Sequence, residues 1–507
     1  MSEGLLIGLS TALQPLNLAM VFVGCFAGTF IGMLPGLGPI SAIALMIPIT
    51  YGFDPAAGMI LMAGVYYGAV FGGSTSSILI NAPGIAGTVA TTFDGYPLAQ
   101  RGDAGKALAI AAYASFAGGT IGAILLLAAA PALAAVALSF QSADYFALMV
   151  LGLTAVSAFA ARGQFLKAMM MTVVGLMLAT VGQDVSSDTY RFTFGRVDLL
   201  DGFSFLLIAM ATFALSEALM VVLKRQMVAP EALAATKGHM GSLALSRGEI
   251  REMVPAILRA SPFGFLIGVL PGAGATIASF LAYGMERNVA RGEAKARFGK
   301  GSVRGLAAPE TANNAASTGS FVPLLTLGIP GSGTTAVMLG ALLSFGIQPG
   351  PSLFQERPEV FWSVIVSMYL GNVILLILNL PLIPYIARLL TLPRQLLVPL
   401  ILFFSLIGVY LVSFNTFDIQ AMVAFAAFAV VFRLMDYPMA PLILAFVLGR
   451  LMEENLRRAL LINDGSISFL WERPICLGIT IVTIVVLAVP IFDWWRQRRV
   501  VTAGEGG

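Results

Sequence analysis

Four Pro-Gly motifs interrupt apolar segments of this sequence, and they contain the residues best suited to chemistry. LPGLGP (34–39) and LPGAGA (270–275) form one pair, and NAPG (81–84) and GIPG (328–331) form another. Proline removes a backbone donor and glycine loosens the chain, so each motif is expected to break a helix. Lipid cannot satisfy the N–H and C=O groups that such a break frees. Protein, water, an ion or a substrate must therefore pair with them.

Each break offers two kinds of ligand contact. The N–H groups at a helix N-terminus bind anions, whereas unwound carbonyl groups suit a hard cation such as sodium. The four motifs contain no Lys or Arg, so an anionic substrate would be held by backbone N–H, hydroxyl and amide donors. The predicted substrate-binding residues are Gly36, Gly38, Asn81, Pro83, Gly84, Gly272, Gly274, Pro330, Gly331, Ser332, Thr334 and Thr335.

Hydroxyl and amide side chains cluster just before the second pair of breaks and suggest a cation site. The predicted ion-binding residues are Ser74, Thr75, Ser76, Glu310, Asn313, Asn314 and Thr318. An acid inside an apolar segment, such as Glu310, is a functional candidate by default. The competing interpretation of Glu310 is an acid that favours a helix N-terminus. For any single Ser or Thr, the competing interpretation is a role in ordinary helix–helix packing.

The composition indicates that these residues lie in an integral membrane protein. Of 507 residues, 58% are hydrophobic and 11% are charged, against about 25% charged in a soluble domain. Mean hydropathy is +0.89. The long continuous apolar runs favour membrane helices over a transmembrane barrel, whose strands alternate. The N-terminal segment lacks the positive region of a signal peptide, so we expect the first apolar run to be retained.

The charged and metal-binding residues exclude several function classes. Net charge is only +3 and no basic block suggests a nucleic-acid partner. Cys25 and Cys476 lie in or beside apolar runs, which predicts small buried side chains and no disulfide framework. The one histidine, His239, lies in a polar segment and is expected to be solvated. Zinc chemistry needs clustered His or Cys ligands, and a Ser–His pair needs a histidine near the membrane site. We therefore predict no enzyme, no cofactor and no transition-metal site.

Three landmarks recur in the same order and indicate an internal duplication. The two LPGxG segments are 236 positions apart, the two later Pro-Gly pairs 247, and Glu217 and Glu454 237. Both glutamates have basic residues nearby, which predicts interfacial ion pairs. We predict a first membrane repeat at 1–223, a polar cytoplasmic linker at 224–259, a second repeat at 260–460, and a C-terminal transmembrane helix and tail at 461–507.

The charges flanking the LPGxG segments predict their orientation. The arms of the second copy, 260–270 and 275–285, are read as 11 residues each, too short to span a bilayer separately. Basic loops flank this copy on both sides, whereas 1–13 and 52–55 around the first copy contain no Lys or Arg. Basic loops mark the cytoplasmic side. The predicted fold is therefore an all-α polytopic membrane protein with two inverted structural repeats, re-entrant hairpins and discontinuous helices.

Long motifs across the chain resemble a known transporter family. They are GTFIGMLPGLGP, YYGAVFGGSTSSILINAPG with DGYPLA, IGVLPGAGA, APETANNAA, and VPLLTLGIPGSGTTAVMLGAL with GIQPGP. Together they resemble the large membrane subunit of tripartite tricarboxylate transporters, the TctA family, over roughly residues 16–458. The resemblance implies a multi-pass protein of the bacterial inner membrane. It also implies two partners, a periplasmic solute-binding protein and a small four-helix membrane subunit.

The expected function is uptake of a di- or tricarboxylate by alternating access, driven by an ion gradient. The resemblance implies sodium as the typical coupling ion, and the lipid bilayer is the medium in which the protein acts. An anion-conducting channel and a carboxylate transporter coupled to protons are the alternatives.

Overall fold

The structure, a computed structural model, describes residues 2–160, 163–184, 187–223, 241–272, 274–388 and 394–504. Helices dominate the first half. They are α1 (Ser2–Ala12), α2 (Pro15–Met33), α3 (Gly38–Thr50), α4 (Pro55–Ile80), α5 (Val89–Leu98), α6 (Ala104–Ala137), α7 (Ser142–Ala158), α8 (Phe165–Ala179), α9 (Phe205–Ala209) and α10 (Ser216–Leu223). A two-stranded antiparallel hairpin, β1 (Gly182–Gln183) with β2 (Tyr190–Arg191), follows α8.

The second half continues as helices. They are α11 (Arg247–Val269), α12 (Gly274–Val289), α13 (Gly292–Ala296), α14 (Val303–Gly319), α15 (Phe321–Leu327), α16 (Gly333–Ser344), α17 (Pro351–Glu356), α18 (Pro358–Asn379), α19 (Ile383–Ile386), α20 (Arg394–Ser413), α21 (Thr416–Leu434), α22 (Ala440–Ile462), α23 (Phe469–Glu472) and α24 (Pro474–Gly504). Within the described ranges, seven helical segments are long and apolar enough to span a bilayer. The protein is thus an all-α, multi-pass membrane protein, as predicted.

Glycines join α2 and α4 into a close parallel pair. A Cβ on Gly24 would lie 2.5 Å from the carbonyl oxygen of Leu61, and one on Gly32 would lie 2.3 Å from that of Ala69. Residue numbers rise together along this contact, so the two helices run parallel with α3 between them in sequence. Small residues allow this approach of backbones, which supplies packing where lipid offers no hydrophobic driving force.

The second half repeats the arrangement with α11 and α14. A Cβ on Gly264 would lie 2.5 Å from the carbonyl oxygen of Ala312, and one on Gly268 would lie 2.2 Å from that of Ala316. These helices are also parallel, and α12 lies between them in sequence. The two halves therefore share a unit of two parallel helices and one intervening helix, as the duplication predicts.

The halves contact each other through α4 and α14, which run antiparallel. Ser74 of α4 bonds Glu310, early in α14, whereas Tyr66 of α4 lies 3.5 Å from Ser320, beyond its end. Helix α6 packs along α14 in parallel, with Gly118 against the backbone of Thr311. This contact buries polar residues of both halves in the middle of the bundle.

Loops rich in basic residues gather at one end of the bundle, which we call the basic face. Lys106 at the start of α6 lies 3.6 Å from Glu249 at the start of α11. The N–H groups of Gly301 and Ser302, just before α14, donate to Asp94 at 2.8 and 2.7 Å. These contacts place the N-terminal ends of α6, α11 and α14 together.

Helix α6 leads from the basic face to the opposite face. Its 34 residues span about 50 Å, and α7 begins beyond them. There Asp144 of α7 pairs with Arg473 at 2.7 Å, and Ala143 packs against Ala459 near the end of α22. Helix α7 therefore begins at the opposite face, and α22 ends there.

The arms of the second LPGxG segment are longer than the sequence predicted. Helix α11 has 23 residues and α12 has 16. A capping box between Ser246 and Glu249 starts α11 inside the polar segment that was read as linker, and the helix continues through Pro255 and Pro262. The inference from short arms was therefore wrong. The basic flanks remain as the argument for a hairpin.

Other sequence predictions concern single side chains. Cys25 and Cys476 are both buried free thiols, as predicted. Glu217 pairs with Arg433 at 2.5 Å and Glu454 with Arg458 at 3.9 Å, which confirms the ion pairs. His239 lies outside the described residues.

Candidate functional site

The two LPGxG breaks have the same backbone conformation. Helices α2 and α11 end at extended residues, Leu34 (φ −80°, ψ 112°) and Leu270 (φ −74°, ψ 122°). Both glycines that follow each proline are left-handed. Their φ values are +97° and +58° at Gly36 and Gly38, and +81° and +60° at Gly272 and Gly274. Glycine adopts this region without strain, so the repeated sequence encodes a repeated turn.

The second pair of breaks also shares one geometry. Asn81 ends α4 at φ +51°, and Gly328 ends α15 at φ +68°. The next N–H bonds six residues back, from Ala82 to the Ser76 carbonyl at 3.4 Å and from Ile329 to the Pro323 carbonyl at 3.2 Å. In both halves this bond, next to a left-handed residue, satisfies a carbonyl group near the helix end. The spacing of 247 positions thus relates the breaks in structure as well as in sequence.

Within each half the two breaks touch. The N–H of Gly272 donates to the carbonyl oxygen of Gly331 at 3.0 Å. In the first half, a Cβ on Gly84 would lie 1.9 Å from the carbonyl oxygen of Gly32, two residues before LPGLGP. The four Pro-Gly interruptions predicted from sequence therefore form one contacting pair in each half. We call the pair LPGLGP and NAPG the first break, and the pair LPGAGA and GIPG the second break.

Glu310 lies beside the first break and is fully buried. Its carboxylate accepts hydrogen bonds from Ser74 at 2.7 Å, from Ser115 at 2.9 Å and from Thr91. These donors come from α4, α6 and α5, so residues of the first half surround an acid of the second. Among the described residues, no Lys or Arg forms an ion pair with Glu310. Of the predicted ion-binding residues, Ser74 and Glu310 are in direct contact.

A small cavity of about 10 Å³ adjoins this cluster. Such a volume holds about one water-sized sphere. The side-chain amide oxygen of Asn379, at the end of α18, has no hydrogen-bond partner in the described part of the chain. The lining residues are Phe71, Ser74, Thr75, Leu108, Ala111, Ala112, Ser115 and Asn379. The cavity therefore offers polar oxygen atoms to one small ligand.

Asn313 lies one turn after Glu310 and faces the first break. Its side chain is fully buried, and both amide atoms lack a partner within the described residues. A Cβ on Gly87 would lie 2.5 Å from its amide oxygen. Buried polar groups are rarely left unpaired, so Asn313 is a strong candidate for ligand contact.

The remaining predicted ion-binding residues bond their own helices. Asn314 donates to the Glu310 carbonyl at 3.0 Å, Thr318 to the Asn314 carbonyl at 3.2 Å, and Ser76 to the Gly73 carbonyl at 3.2 Å. These bonds are those expected of polar residues that serve helix packing. Thr75 lines the small cavity.

The second break is lined by hydroxyl groups and aromatic rings. Ser332 caps the 12-residue helix α16 through reciprocal bonds with Thr335, and Thr334 is buried in the same turn. Gly331 packs against Ser320, which lies 3.5 Å from the Tyr66 hydroxyl. The buried hydroxyl of the adjacent Tyr67 has no partner among the described residues.

Two larger cavities lie in different parts of the bundle. Gly36 lines one of about 290 Å³, together with the Glu217–Arg433 pair. The other, of about 330 Å³, lies at the opposite face and contains Arg450 and Glu454. A Cβ added to Gly38 or Gly274 would meet no neighbouring atom within 4 Å.

Sequence reasoning missed several residues around both breaks. Thr91, Ser115, Asn379, Tyr66 and Tyr67 lie in helices whose apolar character hides them. Thr91 and Ser115 are 219 and 195 positions from Glu310, and Tyr66 is 254 positions from Ser320, so no local pattern in the sequence links them. Only Tyr66 and Tyr67 fall within a motif noted above.

Comparisons with known proteins agree with these observations. Residues 18–444 match the family described as the tripartite tricarboxylate transporter TctA family. An uncharacterized 52.8 kDa protein in the TAR-I ttuC' 3'region of Agrobacterium vitis is 42% identical over 497 residues, covering 98% of this chain and 97% of that protein. An uncharacterized protein in the TAR-II ttuC' 3'region of the same organism is 43% identical over 230 residues, 45% of this chain and 94% of its own length. No solved structure matches the chain.

Proposed function

The chain belongs to the tripartite tricarboxylate transporter TctA family, and from this premise we propose that it takes up a di- or tricarboxylate by alternating access. It would act in a bacterial inner membrane as the large membrane subunit. A periplasmic solute-binding protein would deliver the substrate, and a small four-helix membrane subunit would complete the complex. The proposed driving force is a sodium gradient.

The contact between paired breaks carries this proposal. In the second half, Gly272 bonds directly to Gly331, so two interrupted helical segments meet at a point where backbone groups are free for a ligand. Secondary transporters bind substrates at such discontinuous helices near the bilayer midplane. The equivalent contact of Gly84 with Gly32 in the first half gives each repeat one half of the proposed site.

The antiparallel course of α4 and α14 supports inverted repeats. Each helix leads into the later Pro-Gly break of its own half, and the two approach from opposite directions. The breaks would then be re-entrant from opposite faces, and rocking or sliding of one repeat against the other would expose them alternately. The two larger cavities would serve as the access routes.

A fully buried acid that has three hydroxyl donors, and no basic partner in contact within the described ranges, supports coupling to a cation. Because an anionic substrate carries its own negative charge, a co-transported cation would offset the cost of moving it through a low-dielectric interior. Glu310 is the residue that we propose as the core of this coupling site.

Uptake into proteoliposomes containing all three subunits tests the proposal. We expect accumulation of citrate or another di- or tricarboxylate when an inward sodium gradient is imposed, and little accumulation without it. Uptake that depends on a proton gradient and not on sodium would show that the coupling ion is a proton. Ohmic anion current in planar bilayers, without accumulation against a gradient, would instead establish a channel.

A further inference from the structure

We infer that the two breaks bind different ligands: the first break binds the coupling cation, and the second binds the carboxylate of the substrate. This inference rests on the proposed function and refines it. It begins from the repeat, because an ancestral pair of equivalent sites can diverge while the backbone geometry is kept.

The offset of 247 positions shows where the halves have diverged. It relates Asn81 to Gly328 and Pro83 to Pro330, whose backbone geometry matches. The same offset relates Glu310, Asn313 and Asn314 of α14 to residues of α4. Those counterparts are Ala63, Tyr66 and Tyr67. Helix α14, which faces the first break, thus carries an acid and two amides. At the corresponding positions, helix α4, which faces the second break, carries alanine and two tyrosines.

The first break has the chemistry of a cation site. The Glu310 carboxylate and the amide oxygens of Asn313 and Asn379 are buried around it, and these two amide oxygens have no partner among the residues that the structure describes. The adjoining cavity, about 10 Å³, is large enough for one small ion. Carboxylate, hydroxyl and amide oxygens are the ligands that hard cations take. A second carboxylate brought to this break would be repelled by Glu310 in a low-dielectric interior.

The second break has the chemistry of an anion site. Helix α16 begins there, and its capping bonds use the N–H groups of Ser332 and Thr335. The first-turn N–H groups of Gly333 and Thr334 are not needed by the helix, and they carry the positive end of its dipole. The Tyr67 hydroxyl is an independent pointer to a ligand, because it is buried and has no partner in the described residues. The Tyr67 ring packs beside Phe321, which begins the helix leading to this break, at 5.7 Å between ring centroids.

Substitutions at the two breaks should separate cation affinity from substrate affinity. We expect Asn379→Leu and Glu310→Gln to raise the sodium concentration for half-maximal citrate uptake by about tenfold or more. The KM for citrate at saturating sodium should change less than twofold. Ser367→Ala is the matched control, because Ser367 lies on the same helix and bonds only its own-helix carbonyl of Val364 among the bonds described, at 2.7 Å.

Tyr67→Phe removes one hydroxyl and leaves the ring. We expect it to raise the KM for citrate by about tenfold while the half-maximal sodium concentration stays within twofold. Tyr145→Phe is the control, because the Tyr145 hydroxyl bonds the Ala137 carbonyl at 3.4 Å, far from both breaks in the fold. Binding of radioactive sodium to the purified protein in detergent gives a readout that does not depend on transport.

The possible results divide clearly. A wild-type complex that transports no carboxylate contradicts the proposed function. A working wild type in which Tyr67→Phe weakens sodium binding, or Asn379→Leu weakens only citrate, overturns the assignment of ligands to breaks. Uptake by Glu310→Gln that loses its pH dependence while sodium binding is unchanged would show a proton at this site and would also overturn the sodium assignment. Thermal melting of each variant within a few degrees of wild type establishes that it folds.

Discussion

At the scale of single residues, the glycines of the breaks differ in what surrounds them. Gly272 and Gly274 are both left-handed, at φ +81° and +60°. A Cβ on Gly272 would lie 2.6 Å from the backbone nitrogen of Val156, whereas one on Gly274 would meet nothing within 4 Å. A side chain at position 272 would therefore cause both backbone strain and a clash with α7, whereas one at position 274 would cause strain alone.

This contrast gives a matched pair of variants. Gly272→Ala should reduce citrate uptake more than tenfold, because the break must move away from α7 and lose its bond to Gly331. Gly274→Ala should cost about 1 kcal/mol of strain and reduce uptake only a few-fold. Initial uptake rates, normalised to the amount of protein in the membrane, measure both. Equal losses in the two variants would show that the contact with α7 is unimportant.

At the scale of elements, an ion cluster fastens the two helices that flank the second LPGxG turn. Glu286 of α12 is fully buried and accepts two hydrogen bonds from Arg259 of α11, at 2.6 and 3.1 Å. Arg304 at the start of α14 lies 3.7 Å from the same carboxylate. The cluster ties the three helices of this unit together near the basic face and so fixes the direction in which the turn points.

Glu286→Gln should therefore destabilise the second repeat. Breaking a buried pair costs about 3–5 kcal/mol, and the 37% exposure of the Arg259 side chain reduces this to about 2 kcal/mol. The expected signs are a lower melting temperature in detergent and faster proteolysis of the second half. Glu293→Gln on the exposed surface is the control. A double-mutant cycle with Arg259→Met that showed no coupling would refute the role of the pair.

At the scale of the whole molecule, the two helices that lead into the later Pro-Gly breaks run in opposite directions. Helices α4 and α14 are antiparallel, and each half closes one pair of breaks. If the repeats are inverted, the loop between α3 and α4 and the loop between α12 and α14 lie on opposite sides of the membrane. The basic loop should then be cytoplasmic.

Single cysteines at exposed positions test this arrangement. Gly52 lies between α3 and α4 and Arg291 between α12 and α14, and both are exposed. Gly52→Cys should react with an impermeant maleimide in intact cells, and Arg291→Cys only after the membrane is opened. The native Cys25 and Cys476 are fully buried and should remain unlabelled, so they can be kept. Labelling of both new cysteines from the same side would exclude inverted repeats.

Sequence alone determined the class of the protein, the four breaks and the duplication. Each of these depends on local pattern or on recurrence along the chain: apolar runs of span length, Pro-Gly steps inside them, and landmarks 236 to 247 positions apart. The start of α11 was missed, because its first turns are polar and were read as linker, although Ser246 and Glu249 form a local cap.

The tertiary structure decided which of these features meet. Glu310 was recognisable as a buried acid, but its contacts with Thr91 and Ser115 join positions 219 and 195 residues apart. The pairing of LPGAGA with GIPG and the cavity beside Asn379 depend likewise on how glycine-lined helices pack. Helical periodicity fixes which side chains share a face of one helix, but the partner of that face is set by close packing between distant segments. The ligands of the proposed site therefore emerge only when the helices are assembled.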